Sequence, residues 1–134
     1  MDEALPLRLL AQARTIAVVG ASSDPRRAAH GVMRYLIEAG YTVYPVNPDE
    51  AEVLGRTAYA SLAELPEPVD IVDVFRRPEH VPDVVSAAIA ARARAVWLQL
   101  GIVHEQAAAE ARAAGLEVVM DRCTKIEHGR LRER

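Results

Sequence analysis

Five short apolar runs, each followed by a stretch long enough for a helix or crossover, constrain this chain more than any other feature. The runs are Thr15-Ile16-Ala17-Val18-Val19, Tyr41-Thr42-Val43-Tyr44-Pro45-Val46, Ile71-Val72-Asp73-Val74-Phe75, Ala95-Val96-Trp97-Leu98-Gln99-Leu100 and Leu116-Glu117-Val118-Val119-Met120. Short β-branched runs bounded by turn residues read as buried strands. Between them the periodicity changes. Val32, Met33, Leu36 and Ile37 recur at helical spacing, and Gly40 stands where a helix-ending glycine belongs. Val81, Val84, Val85, Ala88 and Ile89 share one face, with Pro82 suited to the first turn of their helix. His104 to Ala114 is alanine-rich and closed by Gly115, and Leu5 to Ala13 predicts a helix ahead of the first strand. Residues 49–70 are less regular, with Ser61 to Leu65 as a short helix.

Val- and Ile-rich strands alternating with helices predict a parallel sheet covered on both faces. The fold class is therefore α/β, a Rossmann-like three-layer αβα arrangement with a parallel sheet of about five strands. Pro45 can donate no ladder hydrogen bond, which puts its strand at an edge or its residue at a strand end. A length of 134 residues suits one domain, taken here as 1–134 with a core of about 8–131.

Composition removes several function classes. Sixteen basic against 19 acidic residues give a net charge of −3, without the basic balance of a nucleic-acid binder. Cys123 is the one cysteine, so an intrachain disulfide and a zinc site of paired thiolates are both excluded. The start, Met1-Asp2-Glu3-Ala4-Leu5, lacks the basic and apolar regions of a signal peptide, and no apolar run reaches membrane-spanning length. A cytoplasmic protein without a membrane partner is the expectation. The closing Gly129-Arg130-Leu131-Arg132-Glu133-Arg134 reads as a solvated basic tail.

In open parallel sheets, ligands bind beyond the carboxyl ends of the strands. After the first strand comes Gly20-Ala21-Ser22-Ser23-Asp24-Pro25-Arg26-Arg27. A glycine turn leading into a helix N-terminus favours a phosphate, with Ser22, Ser23, Arg26 and Arg27 as further donors. The same residues also suit an ordinary turn, with Asp24 capping the helix and two solvated arginines. The second strand runs into Asn47-Pro48, where an NAD site would usually carry an acid; Asp49 and Glu50 lie just beyond. Phe75 either stacks on a base or closes its strand's core, and Arg76 and Arg77 either meet a phosphate or face water. Gln99, Gly101 and Ile102 follow the fourth strand, and an amide at a buried strand end needs a partner.

Neither G-x-G-x-x-G nor a Walker A loop occurs. Ser22 and Ser23 lack a nucleophile elbow. Arg122 beside Cys123 could activate the thiol, although a small buried thiol is the commoner situation. His30, His104 and the Glu127-His128 pair form no metal-ligand spacing. No catalytic residue and no metal ligand is assigned.

Several blocks together resemble the small single-domain CoA-binding proteins, which look like the CoA-binding domain of the succinyl-CoA synthetase α subunit. They are Val18-Val19-Gly20-Ala21-Ser22, Gly40-Tyr41, Tyr44-Pro45-Val46-Asn47-Pro48, Val69 to Arg76, Val96 to Gly101, and Asp121-Arg122-Cys123 through Glu127-His128. The resemblance implies coenzyme A or an acyl-CoA as ligand. Its diphosphate would lie over Gly20, Ala21 and Ser22, with Asn47 and Pro48 flanking the nucleotide. Val74, Phe75 and Arg76 would bound the adenine end. Arg26, Arg27 or Arg77 would meet the 3′-phosphate, and the pantetheine arm would run toward Gln99, Gly101 and Ile102. A valine at Gly20 should then abolish binding in a folded protein, and Arg76→Ala tests a role for that side chain at the 3′-phosphate.

Succinyl-CoA synthetases place their phosphorylated histidine in another domain, so the resemblance implies binding without catalysis. Two alternatives stand beside it: an NAD(P)- or CoA-linked enzyme, and a regulatory interaction protein with a degenerate nucleotide pocket. A protein partner or a homo-oligomer is left open.

Overall fold

A computed structural model describes residues 2–133. In chain order the elements are α1 (Leu5–Gln12), β1 (Thr15–Val19), α2 (Ala28–Glu38), β2 (Thr42–Val46), β3 (Glu52–Val53), β4 (Arg56–Thr57), β5 (Ile71–Val74), α3 (Val81–Ala90), β6 (Ala95–Leu98), α4 (Glu105–Ala113), β7 (Glu117–Val119) and α5 (Thr124–Arg132). Short 3-10 turns at Leu62–Glu64 and Pro78–His80 complete them.

The five apolar runs form one parallel sheet in the order β2-β1-β5-β6-β7. Every residue of β5 and β6 is buried, as strands covered on both faces must be. Alternate residues feed opposite layers. Ala17, Val72, Val74 and Val96 pack against α3 and α4, whereas Ile16, Val18, Ile71 and Trp97 pack against α1 and α2. Trp97 is fully buried, and its indole N–H donates to the Arg122 carbonyl at 2.8 Å. Pro45 lies on β2, an edge strand, where its missing N–H is tolerated.

The order reverses once, between β1 and β5, leaving a crevice at their carboxyl ends.

Three regions differ from the sequence reading. Residues 49–70 contain the β3–β4 hairpin, which turns at Leu54 (φ 50°) and Gly55 (φ 77°). Two successive positive φ values suit a tight hairpin, but a leucine there gives no turn signal. Secondly, α2 begins at Ala28, so Asp24 does not cap it; Asp24 instead pairs with Arg26 at 3.1 Å. Thirdly, the helix α5 runs from Thr124 to Arg132, so the first part of the closing basic segment is helical while its Arg130 and Arg132 remain exposed; Arg134 lies outside the described residues. α5 buries Thr124, Glu127 and His128, polar residues that leave no apolar stripe to read.

Candidate functional site

Beyond the carboxyl ends of β1, β2 and β5, the loops enclose a cavity of about 440 Å³. Val19, Gly20, Asn47, Pro48, Ser61, Asp83 and Arg76 lie on its wall. A second cavity of about 510 Å³ opens between the β1–α2 loop and the ends of β5 and β6. It is lined by Arg27, Phe75, Arg77, Gln99, Gly101, Ile102 and Cys123, among others. Gly20 and Arg76 line both, so the two cavities meet at the point of strand-order reversal.

Gly20 has φ +90°, and a Cβ there would stand 2.5 Å from the Phe75 carbonyl oxygen. The glycine is thus required by the fold before any ligand arrives. A valine at Gly20 would disturb the β1–β5 junction, contrary to the expectation of an intact protein. The neighbouring Ala21 is fully buried and lines neither cavity. Its carbonyl accepts from the Asn47 amide at 2.8 Å, which ties the first loop to the second.

The serines are engaged locally. Ser22 Oγ accepts from the Asp24 N–H at 3.0 Å, and Ser23 donates its N–H and hydroxyl to the Glu50 carboxylate at 2.7 and 2.9 Å. Arg26 is exposed and held by Asp24, while Arg77 pairs with Glu79 at 3.5 Å. Val74 is buried in the layer facing α3 and lines neither cavity. Gly20, Arg27, Asn47, Pro48, Phe75, Arg76, Arg77, Gln99, Gly101 and Ile102 are therefore brought together, and Ala21, Ser22, Ser23, Arg26 and Val74 stand behind or beside them.

The buried amide of Gln99 finds its partner in Thr124. Its Oε1 accepts from the Thr124 N–H at 3.1 Å and lies 3.2 Å from the Thr124 hydroxyl. The same hydroxyl lies 2.8 Å from Asp73 Oδ2. Asp73 is fully buried, and its Oδ1 has no hydrogen-bond partner among the described residues. Burial pushes its carboxyl up to about 8, against the opposing pull of the Thr124 hydroxyl. Asp73 went unnoticed in the sequence because an acid within a strand usually faces water; its position inside an otherwise apolar run was the available signal.

The Asp121-to-His128 block closes the sheet over β6. Asp121, at φ 59°, accepts from the Gly101 N–H at 2.7 Å, and Arg122 lies 3.6 Å from the buried Glu127. His128 Nδ1 lies 2.8 Å from the Tyr35 hydroxyl. Burial and nearby Arg132 hold its imidazole below its ordinary value. Cys123 is 8% exposed and sits in the wall of the second cavity.

No helix among the described residues is long and apolar enough to cross a membrane. Residues 14–129 match the family described as CoA binding domain. The uncharacterised protein YneT of Bacillus subtilis is 42% identical over 120 residues, which cover 90% of this chain and 89% of that protein. A hypothetical protein from Pyrococcus horikoshii superposes with a TM-score of 0.93 at 41% identity, covering 98% of this chain and 92% of its own. The α subunit of an ADP-forming acetate–CoA ligase from Pyrococcus furiosus is 36% identical over 87 residues, 60% of this chain but 19% of that protein. With a match running from strand β1 into the last helix, this chain belongs to the CoA-binding-domain family.

Proposed function

We propose that this chain binds coenzyme A or an acyl-CoA as a single Rossmann-like domain, without catalysing a reaction on it. The observation that carries the reading is the meeting of two cavities at Gly20 and Arg76, at the reversal of strand order. A ligand with a nucleotide at one end and a long arm at the other needs two compartments joined by an anion-tolerant saddle. The cavity beside Asn47 and Pro48 would take the nucleotide. Gly20, with Ala21 and Ser22 behind it, would let the diphosphate approach the backbone ahead of α2.

The arm would lie in the second cavity along Gln99, Gly101 and Ile102, and Phe75, which lines that cavity and not the first, would border the arm rather than the adenine end that the resemblance implied. Arg76 would neutralise charge at the saddle, while Arg27 and Arg77 are the cations nearest the arm side. Arg26 is less suited to the 3′-phosphate because Asp24 already engages it through two hydrogen bonds. Family membership supports CoA as the ligand class.

The test is calorimetric titration with CoA, with NADH and NADP⁺ alongside. Micromolar or tighter CoA binding without nicotinamide binding is the expected result. Preference for a nicotinamide, or binding to none of the three, would sink the reading.

A further inference from the structure

The contacts around Thr124 contain one more acceptor than its hydroxyl has protons. Thr124 Oγ1 lies 2.8 Å from Asp73 Oδ2 and 3.2 Å from Gln99 Oε1. A threonine hydroxyl carries a single proton, a carboxylate carries none, and an amide oxygen only accepts. With Asp73 ionised, one of these two contacts must set oxygen lone pairs against each other. With Asp73 protonated on Oδ2, the chain is complete: the acid donates to Thr124 Oγ1, and the hydroxyl donates onward to Gln99 Oε1. The unpartnered Oδ1 is then a carbonyl oxygen, less costly to bury than half of a carboxylate.

The Thr124 N–H also points at the Gln99 side chain at 3.1 Å, and an N–H donor requires the amide oxygen there. This fixes which way the amide faces. Its Nε2 has no hydrogen bond among the described residues, and Gln99 lines the second cavity. The free end of the amide is a donor.

We infer that Asp73 is a protonated positioning residue, whose proton, relayed through Thr124, holds the Gln99 NH2 group ready to donate to a carbonyl oxygen of a ligand lying in the second cavity. The identity of that ligand as the arm of CoA rests on the function proposed above; the protonation and the relay do not. Ionisation of Asp73 would claim the Thr124 hydroxyl proton, place Thr124 Oγ1 against Gln99 Oε1, and loosen the amide.

No neighbouring charge substitutes for this relay. The carboxyl points into the layer formed by α1, α2 and α5, since its strand neighbours Val72 and Val74 face the other way. The titratable groups there are Arg8 on α1, His30, Arg34, Tyr35 and Glu38 on α2, Tyr41 after it, Arg122 and Cys123 before α5, and Lys125, Glu127, His128, Arg130 and Arg132 on it. Arg8 is bound to Glu117, Tyr35 to His128, and Glu127 to Arg122 and Arg130. None of these groups forms a hydrogen bond or ion pair with Asp73 among the described residues.

The experiment begins without ligand, by nuclear magnetic resonance titration of the carboxyl carbon of Asp73 and the side-chain NH2 of Gln99. The expected result is a carboxyl midpoint above neutrality, with the Gln99 signals moving at the same midpoint. A midpoint in the ordinary carboxylate range, or Gln99 signals indifferent to it, would overturn the inference. Asp73→Asn then supplies the rescue, because a neutral amide can donate to Thr124 Oγ1 at any pH.

An acid whose folded-state pKa is raised loses stability as pH climbs from its unfolded value of about 4 toward the folded one, and loses no more beyond it. Asp73→Asn should therefore gain on the wild type in unfolding midpoint from pH 5 to 8, then run parallel. Parallel curves throughout would overturn the inference.

Titration with CoA forms the last arm. Wild-type affinity should fall by up to about tenfold per pH unit above the carboxyl midpoint, relative to Asp73→Asn. The same pH profile in both proteins would overturn the positioning role. Failure of both to bind CoA at pH 7, with the carboxyl and Gln99 titrating together, would sink the CoA reading and leave the relay standing.

Discussion

The α-hydrogen of Gly20 faces the carbonyl oxygen of Phe75 so closely that a Cβ in its place would stand 2.5 Å from that oxygen. The contact joins the carboxyl ends of β1 and β5, the two strands between which the sheet order reverses. Gly20→Ala should therefore destabilise the fold by about 2 kcal/mol or more, from backbone strain at positive φ together with the forced shift of a main-chain atom. Denaturant unfolding measures it. A loss below about 0.5 kcal/mol would mean that the junction yields freely, and Gly20 would then matter only for a ligand.

Arg76 is the cation common to both cavities, and no ion pair engages it among the described residues. Arg76→Ala should weaken CoA binding about ten- to a hundredfold, the usual scale for a charge-assisted hydrogen bond at a phosphate. Arg26→Ala, which removes a side chain already held by Asp24, should change affinity little. Comparison with dephospho-CoA divides the Arg76 loss. Equal losses for both ligands would assign it to the diphosphate, and a larger loss for CoA to the 3′-phosphate. An unchanged affinity for both would remove Arg76 from the site.

Much of this was legible because the sheet is written in apolar runs and the site follows from where those runs stop. Gly20, Asn47, Phe75, Arg76 and Gln99 can be placed on the cavity walls by position alone, since each stands just past the end of its strand. What the sequence hid has a common physical cause: it depends on contacts between distant residues. Thr124, Glu127 and His128 carry no apolar stripe, so their helix stays unread until Gln99, Arg122 and Tyr35 supply their partners. Leu54 gives no hint of the left-handed conformation that the hairpin demands. Asp73 resembles a lapse in an apolar run until Thr124 is seen beside it.

Cys123 offers a reporter, since it is the chain's one thiol and lines the second cavity. At 8% exposed it should react slowly with a thiol reagent in the native state. Saturating CoA should slow labelling further if the arm fills that cavity, whereas ADP, which lacks the arm, should protect less. Equal protection by both would place the arm elsewhere. Faster labelling with CoA would show that the ligand opens the wall around Cys123.

His128 and Asp73 pull stability in opposite directions across neutral pH, so a raw pH–stability curve identifies neither. The His128 ring is held below its ordinary value by burial and by Arg132, and its Nδ1 lies 2.8 Å from the Tyr35 hydroxyl, in place to accept from it when the neutral ring carries its proton on Nε2. The unfolded chain therefore binds a proton more readily than the folded one. Stability is fully present above the unfolded value of about 6.5 and declines as pH falls through it toward the folded value. Asp73 does the reverse, losing stability as pH rises toward about 8. A difference measurement separates them. Between pH 7 and 5, the unfolding midpoint of wild type should fall relative to that of His128→Gln, which retains an acceptor for Tyr35 without a titrating ring. The slope should be at most about 1.4 kcal/mol per pH unit. A difference flat with pH would mean that α5 is docked equally well by a charged ring, and the Tyr35 contact would then have to be a donor from His128.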